Sequence, residues 1–505
     1  MQEIANRRVL ILGLGASGLA MARWCARAGA QVTVADTRET PPQAATLAQE
    51  WPAVQVRTGA LDAALVESVG PEALLLSPGL SPAETAAARE AAKACGAWVG
   101  GELALFAQGL HALRAEQGYA PQVLAITGTN GKTTVTALTG ELVARCGKRV
   151  AVAGNIGPTL LDTLAARRDA DDLPQVWVLE LSSFQLEHPG AFEPTAATVL
   201  NLTQDHLDWH GSMAAYAATK ARIFGQDAAM ILNRDDPLVW AMAPADPPPK
   251  GAPARRVVAF GGGLPARAGD WGLETVHGMT WLVRAQPADD LPRARRAPRA
   301  EEPPLLQRLM PADALRIRGR HNALNALAAL ALATEAGCPL APMLHGLREY
   351  RGEPHRVETV AVVRDVEFID DSKGTNVGAT VAAVNGLGGE RKLVLILGGV
   401  GKGQDFSPLA EPLARHVRAV VLIGRDAPLI RAALEPAGLT PVDAASMADA
   451  VARAAALAQP GDAVLMSPAC ASFDMFRDYG HRAEVFREAV AALAEDAGLS
   501  LEGAP

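Results

Sequence analysis

The chain has 505 residues, of which 49% are hydrophobic and 20% charged, and its formal net charge is −8. Such a length suggests about three domains, the apolar fraction is ample for packed cores, and the acidic balance argues against a protein that lives by neutralising nucleic-acid phosphates. Five scattered cysteines (Cys25, Cys95, Cys146, Cys338 and Cys470) form no C-x-x-C pair and have no histidine at zinc spacing, which predicts free thiols in a reducing cytoplasm.

At the N-terminus, Arg7 and Arg8 precede "VLILGLGASGLAMA", which has the outline of a secretion signal. Three glycines at turn spacing (Gly13, Gly15, Gly18) and an acid, Asp36, at the end of the next strand fit a strand, glycine turn and helix better. That arrangement predicts a Rossmann-type site for a diphosphate and a ribose, and makes an NAD-dependent dehydrogenase the first rival reading. No apolar segment is long enough to cross a bilayer, so no stable membrane association is expected.

Along the chain, short β-branched or Leu-rich runs are followed by glycines or polar clusters and then by Ala-rich helical stretches: "RVLILGLG", "QVLAITGTNG", "RVAVAGNIG", "VWVLELSS", "KLVLILGGVGKG" and "DAVLMSPACAS". Apolar strands alternating with helices predict an α/β protein with parallel sheets and ligands beyond the carboxyl ends of the strands. Breaks near residues 115 and 351 divide it into blocks 1–114, 115–351 and 352–505.

In the second block "ITGTNGKTT" (Ile126–Thr134) reads as a shortened phosphate loop. A strand feeds Gly128 and Gly131, and a helix follows whose apolar positions Val135, Leu138 and Leu142 keep helical spacing until Gly147. The amides at that helix start would face an anion, Lys132 would reach the outer phosphates, and the Thr133 hydroxyl is placed as a magnesium ligand. Glu180 ends "VWVLE" and His206 follows "AATVLN", so both should project at the ligand edge, where a carboxylate and an imidazole suit a divalent cation. Lys220 shares a helical face with Tyr216, Ile223 and Phe224. Burial there would favour a neutral amine able to capture carbon dioxide as a carbamate, although spacing alone favours a lysine snorkelling from the rim. "LNRDD" (Leu232–Asp236) comes close to a guanine-reading motif, but a turn with Asx capping accounts for it better. The stretch Ala285–Pro304, rich in proline and mixed charge, reads as a solvated loop insertion. The third block adds "IDDSKGTN", "LGGVGKGQDF" and "SPACASFDMF", each after a strand. Lys402 has no Ser or Thr after it, which suits a point charge meeting a carboxylate.

Together "GTNGKTT", "LELSSFQLE", "NLTQDHLDWH", the Tyr216–Lys220 helix, "GRHNALNALAA", "PHRVE", "DDSKGTN" and "SPACASFDMF" resemble the Mur ligase family, in order and over all three blocks. The resemblance implies three domains: a Rossmann-like N-terminal domain, a central P-loop mononucleotide-binding domain with a parallel sheet, and a Rossmann-like C-terminal domain. Within the family, "SPACASFDMF" and the first block point to the member that joins D-glutamate to UDP-N-acetylmuramoyl-L-alanine; a folate polyglutamylating ligase is the alternative of the same class. By this resemblance Gly15, Ala16, Ser17, Asp36, Thr37, Arg38 and Asn155 would bind the UDP precursor. Gly128, Thr129, Asn130, Gly131, Lys132, Thr133, Thr134, Asn322, Asn325, Arg356 and Asp371 would bind ATP, with Lys373 beside the phosphates as a catalytic group. Thr133 and Glu180 would hold one Mg2+, and His206 with a carbamylated Lys220 would serve a second. Thr375, Lys402, Ser472, Phe473 and Tyr479 would receive D-glutamate. A cytoplasmic monomer is expected, with closure of the third block on the second about a hinge near Gly352. No residue stands out as a general base for the incoming amine.

Overall fold

The computed structural model describes residues 4–245, 254–287, 304–389 and 391–499. The first sheet contains β1 (Arg8–Leu12), β2 (Gln31–Asp36), β3 (Gln55–Thr58), β4 (Ala73–Leu76) and β5 (Trp98–Gly101) in the order β3-β2-β1-β4-β5, all parallel. The second contains β6 (Gln122–Thr127), β7 (Val150–Gly154), β8 (Val176–Glu180), β9 (Ala196–Val199), β10 (Ala229–Asn233) and β11 (Val257–Phe260) in the order β11-β10-β9-β6-β8-β7, again parallel. Their central strands are buried almost throughout, which is why they read as unbroken apolar runs.

A small antiparallel sheet of β12 (Trp271–Val276), β13 (Met279–Gln286) and β14 (Leu305–Pro311) follows. The sequence reading, which predicted parallel sheets, did not anticipate it. The turn between β12 and β13 is His277-Gly278, both at positive φ, as a two-residue hairpin connection requires. Ala285 and Gln286, read above as the start of a solvated loop, instead close β13 and pair with Leu306 and Leu305. Residues 288–303, most of that stretch, lie outside the described residues.

The last sheet contains β15 (Glu358–Val363), β16 (Val366–Asp370), β17 (Leu393–Gly398), β18 (Val417–Ile423), β19 (Val442–Asp443) and β20 (Ala463–Met466), ordered β15-β16-β20-β17-β18-β19. Only β15 is antiparallel to its neighbour.

The first two sheets are welded by the helix Glu102–Gln117. Its Phe106 meets Trp177 of β8 edge to face, with ring centroids 5.1 Å apart and both side chains fully buried. Trp177 Nε1 donates to the Tyr119 hydroxyl at 2.9 Å, so the indole's polar edge is satisfied. One continuous cluster of buried side chains therefore runs from Val9 and Leu105 to Trp177 and Leu232. That helix continues past residue 115 and stops at Gly118 in the left-handed region, while the second break follows the helix Leu340–Glu349 and contains Gly352 at φ +91. All five cysteines are free thiols, and among the described residues no helix is long and apolar enough to cross a membrane.

Candidate active site

Strand order assembles the site. Because β6 lies between β8 and β9, the phosphate loop after β6 is flanked by Glu180 at the end of β8 and by the segment Asn201–His206 after β9. In the third unit β20 lies between β16 and β17, so "DDSKGTN", "SPACAS" and "GGVGKG" also leave adjacent strand ends.

The phosphate loop is held by Asn201, from the segment after β9. The Asn130 amide donates to Asn201 Oδ1 at 2.8 Å, the Asn201 side chain returns a bond to the Asn130 carbonyl at 3.0 Å, and the Thr129 amide reaches the Asn201 carbonyl at 2.9 Å. Lys132, at the start of the helix Lys132–Arg145, donates to the carbonyls of Gly128 and Thr129, both at 2.9 Å. Two of its three protons thus shape the loop and one remains for a ligand. Val135, Leu138 and Leu142 are fully buried and fix the direction of the helix. Gly131 sits at φ +82, and a Cβ there would stand 2.7 Å from Asn325 Oδ1. Gly131→Ala is therefore expected to raise the KM for a nucleotide bound at this loop about tenfold, from roughly 1–3 kcal/mol of backbone strain relieved only by reshaping the loop. Steady-state kinetics at saturating partner substrates check this, and an unchanged KM would refute it.

Glu180 is 1% exposed. Its Oε1 accepts from Asn155 Nδ2 at 2.9 Å, whereas Oε2 is buried with no hydrogen-bond partner. A buried carboxylate oxygen in that condition fits a cation. His206, at φ +53, packs edge-on to Phe184 with ring centroids 4.8 Å apart, and burial lowers its pKa, which favours the neutral imidazole a metal needs. Lys220 is 1% exposed, so the snorkelling alternative fails. The segment around it is a helix, Met213–Ala221, that tightens into a 3-10 turn and carries Lys220 inward with Tyr216, Ile223 and Phe224. Its Nζ donates to Thr127 Oγ1 at 3.1 Å and to the Gly128 carbonyl at 3.0 Å, and lies 4.8 Å from the centre of the Tyr216 ring. Burial first, and then the charge of Lys132, hold its pKa well below the ordinary lysine range.

An open cavity lies beside this loop, between it and the third unit. Asn130 and Gly131 line one wall, Asn322 and Asn325 of the helix Arg320–Glu335 a second, and Arg356, Asp371 and Lys373 the third. All of these were expected at the nucleotide. Arg356 donates through Nη2 to Thr133 Oγ1 at 2.7 Å, and Asn130 and Asn376 exchange side-chain amide bonds at 3.0 and 3.1 Å. The third unit therefore touches the phosphate loop directly. Burial raises the Asp371 carboxyl to about 7 even though Ser467 Oγ donates to it at 2.6 Å. Burial also lowers Lys373 to about 8, with its Nζ 5.3 Å from the centre of the Tyr479 ring.

Of the residues expected at the amino acid, Ser472 is buried, Thr375 half-buried and Lys402 exposed at φ +52. Tyr479 is partly exposed beside Lys373, and Phe473 is 70% exposed. The sequence reading missed Asn201, Asn376 and Gln404. Asn376 carried a signal, since an Asn directly before an apolar helical run is an N-cap, and its Oδ1 accepts from the Ala379 amide at 2.9 Å.

In the first unit Gly18 packs so close to the β1 turn that a Cβ would lie 2.0 Å from the Gly13 carbonyl. Gly15 and Ser17 are half-buried, and Ala16, Thr37 and Arg38 are exposed around the same turn. Asp36 has both oxygens engaged: Oδ2 accepts from the Leu14 amide at 2.7 Å, and the Arg38 guanidinium spans the carboxylate. Arg38 holds its pKa down at about 2. At "LNRDD", Asn233 Oδ1 accepts from the Asp235 amide at 3.0 Å and Asp236 caps the short helix Pro237–Trp240, so these residues form the expected Asx turn.

Matches to known families cover the three units in turn. Residues 7–100 match the Mur ligase MurD-like N-terminal domain, 126–249 the Mur ligase middle domain, and 355–470 the Mur ligase glutamate ligase domain. The chain belongs to the Mur ligase family. It is 64% identical over 507 aligned residues, covering 100% of both chains, to a UDP-N-acetylmuramoylalanine–D-glutamate ligase of Albidiferax ferrireducens. A Burkholderia pseudomallei protein of the same name is 59% identical over 502 residues, covering 98% of each chain. Among solved structures, the MurF ligase of Thermotoga maritima in complex with ADP shares the fold, with a TM-score of 0.57 at 15% identity over 98% of this chain and 100% of that one.

Proposed function

We propose that this protein joins D-glutamate to UDP-N-acetylmuramoyl-L-alanine at the expense of ATP, as its full-length relatives are named for, in the cytoplasmic synthesis of peptidoglycan precursors. The observation that carries the reading is a cavity with Asn130 and Gly131 of the phosphate loop on one side and Arg356, Asp371 and Lys373 of the third unit on the other, next to a buried Glu180 oxygen that has no partner. A carboxylate resists amines because it is anionic and its oxygen leaves poorly. Transfer of the γ-phosphoryl group to the alanine carboxylate removes both obstacles, and attack by the amine then expels phosphate and leaves an amide.

Lys132 and the amides of Gly128–Thr134 would neutralise and position the transferring phosphoryl group. Asn322, Asn325, Arg356 and Asp371 would hold the nucleoside and phosphates, with the Lys373 charge beside them. Thr133 and Glu180 would hold one Mg2+, and His206 with carbamylated Lys220 a second; bound there, the ions would offset the charge on the phosphate oxygens. The turn at Gly15, Ala16 and Ser17, with Asp36, Thr37 and Arg38, would take the UDP group. Asp36 would act mainly by presenting Arg38, because its own oxygens are engaged. Asn155, exposed and bonded to Glu180, would place the precursor's acyl end near the metal. Thr375, Lys402, Ser472 and Tyr479 would meet D-glutamate. Phe473, largely in solvent, is the weakest of that set. The three units would act as domains of one monomer, the third closing on the second about Gly352.

Phosphate release from ATP, measured with precursor and D-glutamate varied separately, tests the reading. Release is expected only with both present, and 18O from the precursor carboxylate should appear in the liberated phosphate. Release that ignores either substrate, or unlabelled phosphate, would sink it.

A further inference from the structure

Arg482, in the helix Tyr479–Asp496, is completely buried. Its Nη1 donates to the Cys470 carbonyl at 3.0 Å and its Nη2 to the Ser372 carbonyl at 2.7 Å, while Nε is buried without a partner. The acids nearest in its field are engaged elsewhere: Asp370 by His355, Asp371 by Ser467 and Asp474 by the Arg425 amide. A buried cation matched only by carbonyls carries a desolvation cost that an apolar side chain would avoid, so core packing alone does not explain an arginine here.

The two carbonyls belong to different loops. Ser372 precedes Lys373 in the loop after β16, and Cys470 lies two residues before Ser472 in the loop after β20. Gln404, from the loop after β17, makes a second tie: its Nε2 donates to the Ala469 carbonyl at 2.8 Å and its Oε1 accepts from the Val377 amide at 2.9 Å. Backbone bonds follow the same seams, from the Ala469 amide to the Gly374 carbonyl at 2.9 Å and reciprocally between Val400 and Ala471. A planar guanidinium bonds two fixed acceptors at once, which an ammonium cannot do with the same geometry.

We propose that Arg482 and Gln404 are positioning residues for the amino-acid substrate. They hold three loops in the register at which Thr375, Lys402 and Ser472 can meet the two carboxylates of one small acid. The inference rests on the reading of these loops as the amino-acid site.

Full-length Arg482→Lys and Gln404→Met, assayed by phosphate release with each substrate varied in turn, test it. Arg482→Lys keeps the charge and loses the fork, so the KM for D-glutamate should rise about tenfold while those for ATP and the precursor stay within about twofold. Gln404→Met should raise the same KM about threefold or more, with the same selectivity. A wild-type D-glutamate KM in Arg482→Lys, or equal rises in all three KM values, would overturn the proposal. If Arg482→Lys does not fold, Gln404→Met decides: a selective rise upholds the tie and an unchanged KM overturns it. Should the wild-type protein prefer another amino acid, the D-glutamate assignment fails, whereas a selective rise in KM for that amino acid still upholds the tie.

Discussion

Lys132→Ala is expected to lower precursor- and D-glutamate-dependent phosphate release about a hundred- to a thousandfold, the scale set by removing one preorganised donor from a developing anion. Two effects combine. The variant loses the proton left for the phosphates, and the Gly128 and Thr129 carbonyls lose the ammonium that turns them inward. Lys132→Arg should not restore the rate, because a longer planar fork cannot sit between the two carbonyls and still present a single point charge. Single-turnover measurements with ATP and precursor alone place the defect. Loss at that stage assigns Lys132 to phosphoryl transfer, and a rate within about tenfold of wild type would remove it from the site.

A comparable loss is expected for Lys220→Met, together with a dependence of the wild-type enzyme on dissolved carbon dioxide. The sign follows from the environment. Burial and the nearby Lys132 charge lower the Lys220 pKa, so the amine is neutral at lower pH than an ordinary lysine and more open to carbamylation. As pH falls through that lowered pKa the amine reprotonates and the adduct is lost. Activity should therefore decline on the acid side, and added bicarbonate should shift the decline to lower pH. Carbon-13 NMR of protein equilibrated with labelled bicarbonate should show one carbamate signal, absent in Lys220→Met. Full activity in carbonate-free buffer with no such signal would refute the modification.

The phosphate loop was legible because its chemistry is local. A glycine at positive φ, a lysine and a helix start follow one another within a few residues, and spacing alone relates them. The same holds for the turn after β1 and the Asx turn at Asn233. Lys220 was not legible in this way: its helical face was visible, but nothing nearby in sequence shows whether that face meets a core or its rim. Burial under the phosphate loop settles it, through Thr127 and Gly128, more than ninety residues earlier. The antiparallel sheet was hidden for a different reason. Its strands are only partly buried and carry mixed residues, so the His277-Gly278 turn was the signal to use.

By itself the sequence determined the α/β class, the loops that follow strands and the residue types at each strand end, because hydrophobic periodicity and backbone sterics act over a few residues. Only the tertiary structure decided which of those loops meet. The insertion of β20 between β16 and β17, and of β6 between β8 and β9, depends on long-range strand pairing that burial of whole sheet faces selects. The same pairing sets Asn376 against Asn130 and buries Arg482 beneath two loops about a hundred residues apart in the chain.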